Sequence, residues 1–211
     1  MEHIKQKVFK VLSRTLTEEA FEQWLYNDPY VVEHLSDDEL VLDLMNLDYR
    51  SKFLFNDLEA LVLKHFSIDE CLLTIIELSF KAYTQRPTED GAYDMFYNIS
   101  LYFKWDEDYG LMESIKNLHW DYDLACDGIY SMAEVLESTC EFSRLLLDNL
   151  ECADPETRKR ILFEGIDMPS PRYYNVFPRK PKGKPLYLGR FLKEAFLTCF
   201  RFFIQQPLMK K

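Results

Sequence analysis

The residues best suited to chemistry by type and spacing are His119, Asp123 and Asp127, which recur at four-residue intervals. On a continuous helix, side chains four residues apart share one face, and an imidazole with two carboxylates can bind a divalent metal. A metalloenzyme would need further ligands from other helices, but the sequence has no H-E-x-x-H motif and no paired E-x-x-H motif. A solvated acidic helix face is the favoured interpretation. We therefore expect no catalytic residues, no bound metal and no cofactor.

A second group combines carboxylates with aromatic side chains, a common way to bind a partner rich in Arg and Lys. It comprises Trp105-Asp-Glu-Asp-Tyr109 and His119-Trp-Asp-Tyr-Asp123. We predict that partner contacts come from Trp105, Asp106, Glu107, Asp108, Trp120, Asp121 and Asp123, with Asp37, Asp38 and Glu39 of the 37–48 region as second choice. The alternative at each position is structural: core packing for an aromatic ring and a solvated loop for a carboxylate.

The charge along the chain indicates which partner to expect. Residues 1–154 hold 32 Asp and Glu against 12 Lys and Arg, a net charge of −20, whereas residues 155–211 hold 4 against 13, a net charge of +9. The acidic part repels nucleic-acid phosphates and anionic lipid. It attracts basic proteins over about a Debye length, ~8 Å at physiological salt. A cationic protein is therefore the first partner to expect.

Composition predicts the fold class and the compartment. With 47% hydrophobic residues and 6 glycines in 211 residues, we expect a mainly α protein, a multi-helix globular bundle. The five cysteines form no C-x-x-C pair, which favours a reducing cytoplasm over a disulfide framework or a thiolate zinc site. No apolar stretch has the length of a signal peptide or of a membrane span. We expect a cytoplasmic monomer or weak dimer.

Apolar periodicity and capping residues place the helices that position these side chains. Helical patterns cover residues 3–13, 18–27, 30–35, 51–66, 69–85, 92–105, 111–118 and 120–150. Gly128 is a kink in the last of these, and Asp154-Pro155 starts a further helix of about ten residues. Residues 40–47 fit a strand or a helix, and a capping box at Ser36-Asp37-Asp38-Glu39 favours the helix.

The end of the chain has a different character. We expect an acidic helical domain at residues 1–167, then a proline-rich basic connector and a C-terminal apolar helix within residues 168–211. The connector contains Arg179-Lys-Pro-Lys-Gly-Lys184, a run that could bind nucleic acid or anionic lipid. The phenylalanines between 191 and 203 would leave a large apolar surface exposed, so packing of this end on the acidic domain is favoured.

Three motifs stand in the first 65 residues: Phe21-Glu-Gln-Trp-Leu-Tyr26, Leu40-Val-Leu-Asp-Leu44 and Asp48-Tyr-Arg-Ser-Lys52, the last followed by Leu58-Glu59 and Leu61. This pattern resembles the start of small cytoplasmic bacterial proteins, the immunity proteins of polymorphic toxin systems. The resemblance implies a non-enzymatic protein that binds and blocks a cognate toxin domain, often a nuclease. It implies no catalytic residues. The basic, proline-rich end departs from the compact acidic pattern of such proteins.

Three functional hypotheses follow from the sequence. The first is an inhibitor of the immunity type, because a nuclease must be cationic to hold its substrate and an acidic surface competes for the same Arg and Lys groups. The second is a helical adaptor or regulatory protein whose basic tail engages nucleic acid or membrane. The third is a metal-dependent enzyme that uses His119, Asp123 and Asp127.

Overall fold

The computed structural model describes residues 2–166, and in that range it contains ten α-helices, one 3-10 helix and no β-strand. The helices are α1 (Glu2–Leu12), α2 (Glu18–Asn27), α3 (Pro29–Glu33), α4 (Glu39–Met45), α5 (Leu54–His65), α6 (Ile68–Gln85), α7 (Glu89–Ser100), α8 (Gly110–Cys126), α9 (Met132–Glu151) and α10 (Pro155–Glu164), with the 3-10 helix at Phe103–Trp105. The mainly α fold is confirmed. The predicted connector and C-terminal helix, at 168–211, lie outside the described residues.

Side-chain caps start most of these helices. The Thr17 hydroxyl accepts a hydrogen bond from Ala20 N at 3.2 Å, and the Asp154 carboxylate accepts one from Thr157 N at 2.8 Å. Each bond satisfies a backbone donor that the first turn of a helix leaves unpaired. The two predicted helix starts are therefore confirmed. Similar caps start four other helices, α3, α4, α6 and α7, from Asp28, Asp38, Ser67 and Thr88.

The helix predicted over the ambiguous stretch is present as α4, but the predicted capping box is wrong. The cap is Asp38, whose Oδ1 accepts hydrogen bonds from Leu40 N at 3.0 Å and Val41 N at 3.3 Å. Ser36 lies in the preceding turn and donates to the Asp37 carboxylate at 2.9 Å. A carboxylate next to the first helical residue reaches the free backbone donors, and Ser36 lies too far back along the chain.

The predicted boundaries in the second half of the chain also need correction. Helix α8 runs without a break from Gly110 to Cys126, so no boundary exists near residue 119. Gly128 has φ +72° and lies between α8 and α9 instead of kinking one helix. The Ile129 amide donates to Leu124 O at 2.8 Å, which closes the last turn of α8. The aromatic helix predicted over 92–105 ends as an α-helix at Ser100.

Helix α6 lies at the centre of the described fold and packs against α1, α5, α7, α9 and α10. Its apolar side chains point in several directions, with Leu72, Ile75 and Phe80 fully buried. The Phe80 ring packs against Phe142 of α9 with centroids 5.5 Å apart. A helix that is apolar on most sides is expected at the centre of a core, where each face meets another helix. Within residues 2–166, no helix is both long and apolar enough to cross a bilayer.

Gly110 brings the start of α8 against the end of α10. A Cβ atom at this position would lie 2.8 Å from the carbonyl carbon and oxygen of Glu164. Those are backbone atoms, so a larger residue would have to push the two helices apart. Gly165 ends α10 with φ +78°, a conformation that favours glycine. The close approach lies two residues after the acidic loop 106–108, which precedes α8.

Candidate partner-binding surface

Trp105, expected as an aromatic anchor for a partner, belongs to the protein core. Its side chain is 9% exposed, and its ring lies 4.9 Å from that of Tyr102. Tyr102 is itself buried and donates from its hydroxyl to Leu12 O at 2.9 Å. The 3-10 helix is thus attached to the end of α1 through these two rings. A binding role for Trp105 would require the loop to open.

The three carboxylates that follow Trp105 differ in their surroundings. Asp106 Oδ1 accepts a hydrogen bond from Tyr109 N at 2.9 Å, and Oδ2 forms an ion pair with Lys116. The Asp106 side chain is 10% exposed, so it acts first as a structural link between the loop and α8. Glu107 and Asp108 are exposed. They are the two residues of the loop whose carboxylates are open to solvent.

The second predicted segment divides in the same way. Trp120 is 45% exposed and the Asp123 side chain is 61% exposed, whereas Asp121 is 3% exposed and belongs to the buried side of α8. At 1.5 Å per residue, Trp120 stands about 15 Å along the helix axis from Gly110. The loop and the 120–123 segment therefore occupy different parts of α8 instead of forming one compact cluster.

The structure reveals an exposed aromatic pair on α7 that the sequence analysis did not select. Tyr93 and Tyr97 are 57% and 47% exposed, and their rings stack with centroids 6.1 Å apart at an interplanar angle of 10°. Helix α7 contains no Lys or Arg and carries three exposed carboxylates, Glu89, Asp90 and Asp94. The sequence signal for this pair was the four-residue spacing of Tyr93 and Tyr97, which places both rings on one side of the helix. The opposite side is buried and carries Ala92, Met95, Phe96 and Ile99.

Ring contacts connect α7 with the exposed part of α8. The His119 ring stacks on Phe96 at 5.1 Å with an interplanar angle of 3°, and His119 Nε2 lies 3.8 Å from Asp123 Oδ1. The Tyr122 hydroxyl donates to Glu89 O at 3.2 Å. We use the name α7–α8 face for a set of side chains on these two helices: Tyr93, Asp94, Tyr97, His119, Trp120 and Asp123.

The charge of the α7–α8 face comes from its carboxylates. Burial against Phe96 lowers the pKa of His119 below its usual value of 6.5, and Asp123 opposes this shift. His119 is thus neutral at pH 7 and does not cancel the charge of Asp94 or Asp123. Lys116, the basic residue of α8, is paired with Asp106. Aromatic rings among unneutralised carboxylates are suited to cationic side chains.

The metal hypothesis gains no support from the arrangement of these side chains. Asp127 is the C-cap of α8, one turn beyond Asp123 and at the end of the helix. Among residues 2–166, no three His, Cys, Asp or Glu side chains are grouped so that they could hold a metal ion. The metal hypothesis depended only on the helical spacing of His119, Asp123 and Asp127, and no other helix within residues 2–166 supplies the remaining ligands.

The second-choice carboxylates lie around the start of α4. Glu39 contacts Lys64 Nζ at 2.6 Å, and Asp38 is the N-cap of the helix. Asp37 is exposed. Nearby, Asp43 contacts both Lys64 and His65 at 2.8 Å, and the hydrogen bonds from Lys64 and then His65 lower the pKa of its carboxyl. Part of the acidic charge in this region is therefore neutralised within the protein.

Comparison with protein-family models, curated proteins and solved structures finds no match for this chain. Functional inference therefore depends on the geometry and charge of its own residues.

Proposed function

We propose that this protein is a non-enzymatic binding protein that neutralises a cognate cationic toxin domain, in the manner of an immunity protein. The observation that carries the proposal is the α7–α8 face, where the exposed rings of Tyr93, Tyr97 and Trp120 stand among carboxylates. Residues 2–166 as a whole hold 34 acidic and 15 basic side chains, a net charge of −19. A surface of this kind attracts a basic protein and provides rings on which Arg and Lys side chains can pack.

The physical basis is competition for the same cationic groups. A nuclease toxin binds the phosphates of its substrate through Arg and Lys. Carboxylates at fixed positions can occupy these groups, and exposed aromatic side chains can act as the anchors that supply most of the binding energy. Inhibition by occupation needs no catalytic residue. Electrostatic steering mainly raises the association rate, and the toxin must be captured before it reaches nucleic acid.

Co-expression is the direct test. The reading frame next to this gene, as candidate toxin, is expressed alone and together with this protein. We expect growth of the host and co-purification of the two proteins when both are present. If the candidate is toxic by itself and co-expression neither restores growth nor yields a complex, the immunity proposal is rejected.

A charge-matched pair of variants locates the contact surface. Asp94→Asn with Asp123→Asn removes two carboxylates from the α7–α8 face, whereas Glu134→Gln with Glu137→Gln removes two exposed carboxylates from α9. We expect the first pair to slow association by about tenfold at low salt and the second pair to change it by less than about twofold. Equal effects of the two pairs would mean that net charge, and not this face, determines association.

The aromatic part of the face has its own test. Tyr93→Ala removes one ring of the stacked pair at an exposed position. For a central aromatic anchor, we expect a loss of about 2 kcal/mol in binding free energy, expressed mainly as faster dissociation of the toxin. Ile129→Ala, at a side chain that is 53% exposed in the turn after α8, is the control and should leave dissociation unchanged.

A helical adaptor remains the second candidate because the net charge changes from −20 before residue 155 to +9 after it. Its functional part, residues 168–211, lies outside the described residues. The adaptor hypothesis predicts that the full chain binds duplex DNA, RNA or anionic vesicles, and that the affinity falls steeply with salt. Such binding, together with a lack of protection in co-expression, would favour the adaptor.

A further inference from the structure

A cleft with a volume of about 370 Å³ opens beside α3, at the start of α4 and the end of α5. Its lining combines aromatic and imidazole rings, carboxylates and one buried leucine: Tyr30, His34, Asp37, Asp38, Glu39, Leu40, His65 and Phe66. Protein sites for small ligands start near 300 Å³, so a cleft of this size suits one side chain better than a large ligand.

The rings beside the cleft are held in place by contacts within the protein. His34 stacks on Tyr30 with ring centroids 3.9 Å apart at 12°, and its Nδ1 lies 2.9 Å from Tyr30 O. His3 approaches Tyr30 edge-on at 5.3 Å. The Tyr30 hydroxyl donates to Asp38 Oδ2 at 3.4 Å. Because these rings are ordered before a ligand arrives, binding costs little conformational entropy in the cleft.

The side chains that line the cleft give it a net negative charge. Three carboxylates line it, and none of its lining residues is Lys or Arg. Three other clefts in the described part of the chain each include Lys or Arg side chains. Lys64 contacts Glu39 at 2.6 Å but also Asp43 at 2.8 Å, so one ammonium group is shared between two carboxylates. A cationic ligand therefore finds carboxylate charge here that the side chains of residues 2–166 do not fully neutralise.

We propose that this cleft binds the guanidinium group of an arginine side chain, which a cationic protein partner supplies. Guanidinium is planar, stacks on aromatic faces and donates paired hydrogen bonds to carboxylates. An ammonium group lacks the planar face and the paired donors, so the cleft prefers arginine to lysine. The source of the arginine rests on the proposed function, and the chemistry of the cleft is measured independently of any toxin.

The test uses Nα-acetyl-arginine amide as the probe and the full-length, ¹⁵N-labelled protein. We expect saturable NMR chemical-shift changes at residues 30–40 and 65–66, with affinity at least about twofold higher than for Nα-acetyl-lysine amide. Shifts that do not saturate, that lie elsewhere, or that saturate at the same concentration for both probes overturn the proposal.

Two sets of variants test separately how the carboxylates and the rings contribute to binding of the arginine probe. Asp37→Asn with Glu39→Gln should raise the dissociation constant of the arginine probe about threefold, whereas Glu134→Gln with Glu137→Gln should leave it unchanged. All four side chains are exposed, so the fold is expected to persist. His34→Ala removes the ring that stacks on Tyr30 and should abolish the preference for arginine. An unchanged preference in that variant would exclude the aromatic wall as the selective element.

The outcomes for the cleft and for the proposed function can be distinguished. Binding of the arginine probe without protection in co-expression would reject the immunity proposal and keep the cleft as an arginine site. Protection from the toxin without probe binding would reject the cleft and keep the immunity proposal.

Discussion

The hydroxyl of Tyr109 donates a hydrogen bond to Asp69 Oδ1 at 2.7 Å, and this bond joins the start of α8 to the start of α6. Tyr109 is 1% exposed, and burial together with the neighbouring Asp69 carboxylate raises the pKa of its hydroxyl. Asp69 Oδ2 also lies 3.3 Å from Lys159 of α10. One carboxylate thus links three helices next to the acidic loop 106–108.

Removing the hydroxyl should destabilise this junction. Tyr109→Phe keeps the edge-on contact with Phe163 at 5.0 Å but loses a partly buried hydrogen bond to a charged group. We expect the free energy of unfolding to fall by about 1–2 kcal/mol, measured by urea denaturation. Tyr93→Phe, at a tyrosine that is 57% exposed, should change it by less than about 0.5 kcal/mol. A Tyr109→Phe protein as stable as the wild type would contradict the structural role of the bond.

Ser79 offers an opportunity to stabilise the protein. Within residues 2–166, its buried hydroxyl has no hydrogen-bond partner, whereas the buried Ser143 hydroxyl donates to Thr139 O at 2.5 Å. Both serines lie inside helices, so Ala gives each the same gain in helix propensity. We expect Ser79→Ala to be more stable than Ser143→Ala by about 1 kcal/mol, because only the second variant loses a bond. Equal stabilities in thermal unfolding would refute this.

Acid should weaken the fold through His119. Its pKa lies below 6.5 in the folded protein because of burial, so the unfolded chain binds the proton at a higher pH than the folded chain does. The contribution of His119 to the free energy of unfolding therefore falls as the pH drops below about 6.5. His119→Phe keeps a ring against Phe96 and should reduce this decline, measured by urea denaturation at pH 7.5, 6.5 and 5.5.

A second substitution tests the contribution of Asp123 to this effect. Asp123→Asn removes the carboxylate that favours the protonated imidazole. The pKa of His119 should drop further, and the loss of stability should extend to lower pH than in the wild type. An Asp123→Asn protein that resists acid as well as the wild type, or better, would show that Asp123 does not favour the protonated form of His119.

Substitutions in the acidic loop 106–108 should affect stability differently at structural and at exposed positions. Asp106→Ala loses both the hydrogen bond from Tyr109 N and the ion pair with Lys116. We expect a loss of about 1–2 kcal/mol in the free energy of unfolding. Glu107→Ala, at the next and exposed position, should change stability by less than about 0.5 kcal/mol. Slower binding to a partner after Asp106→Ala therefore needs a stability control, whereas the same effect after Glu107→Ala points to direct contact.

The sequence determined where most helices lie, because the signals are local. Apolar spacing and caps such as Thr17 and Asp154 act within one or two turns, and the structure has both helix starts where the sequence predicts them. The errors are also local. Ser36 and Asp38 both fit the sequence pattern of a helix cap, and Gly128 fits the pattern of a kink as well as that of a helix end.

Tertiary structure decided which side chains of the candidate site reach solvent. Trp105 and Trp120 are alike in sequence, yet one packs on Tyr102 and the other is 45% exposed. Asp106 and Glu107 are adjacent acids, yet a lysine ten residues away neutralises only the first. Burial depends on which helices pack against a position, and these contacts join residues far apart in the chain.

The same reason explains why the α7–α8 face and the cleft beside α3 could not be predicted from the sequence. The Phe96–His119 stack joins residues 23 positions apart, and the cleft brings His34 and His65 together from 31 positions apart. The sequence by itself determined an acidic, mainly helical chain. Packing between helices decided which carboxylates and rings are exposed, because helix spacing constrains neighbours within one helix and not between helices.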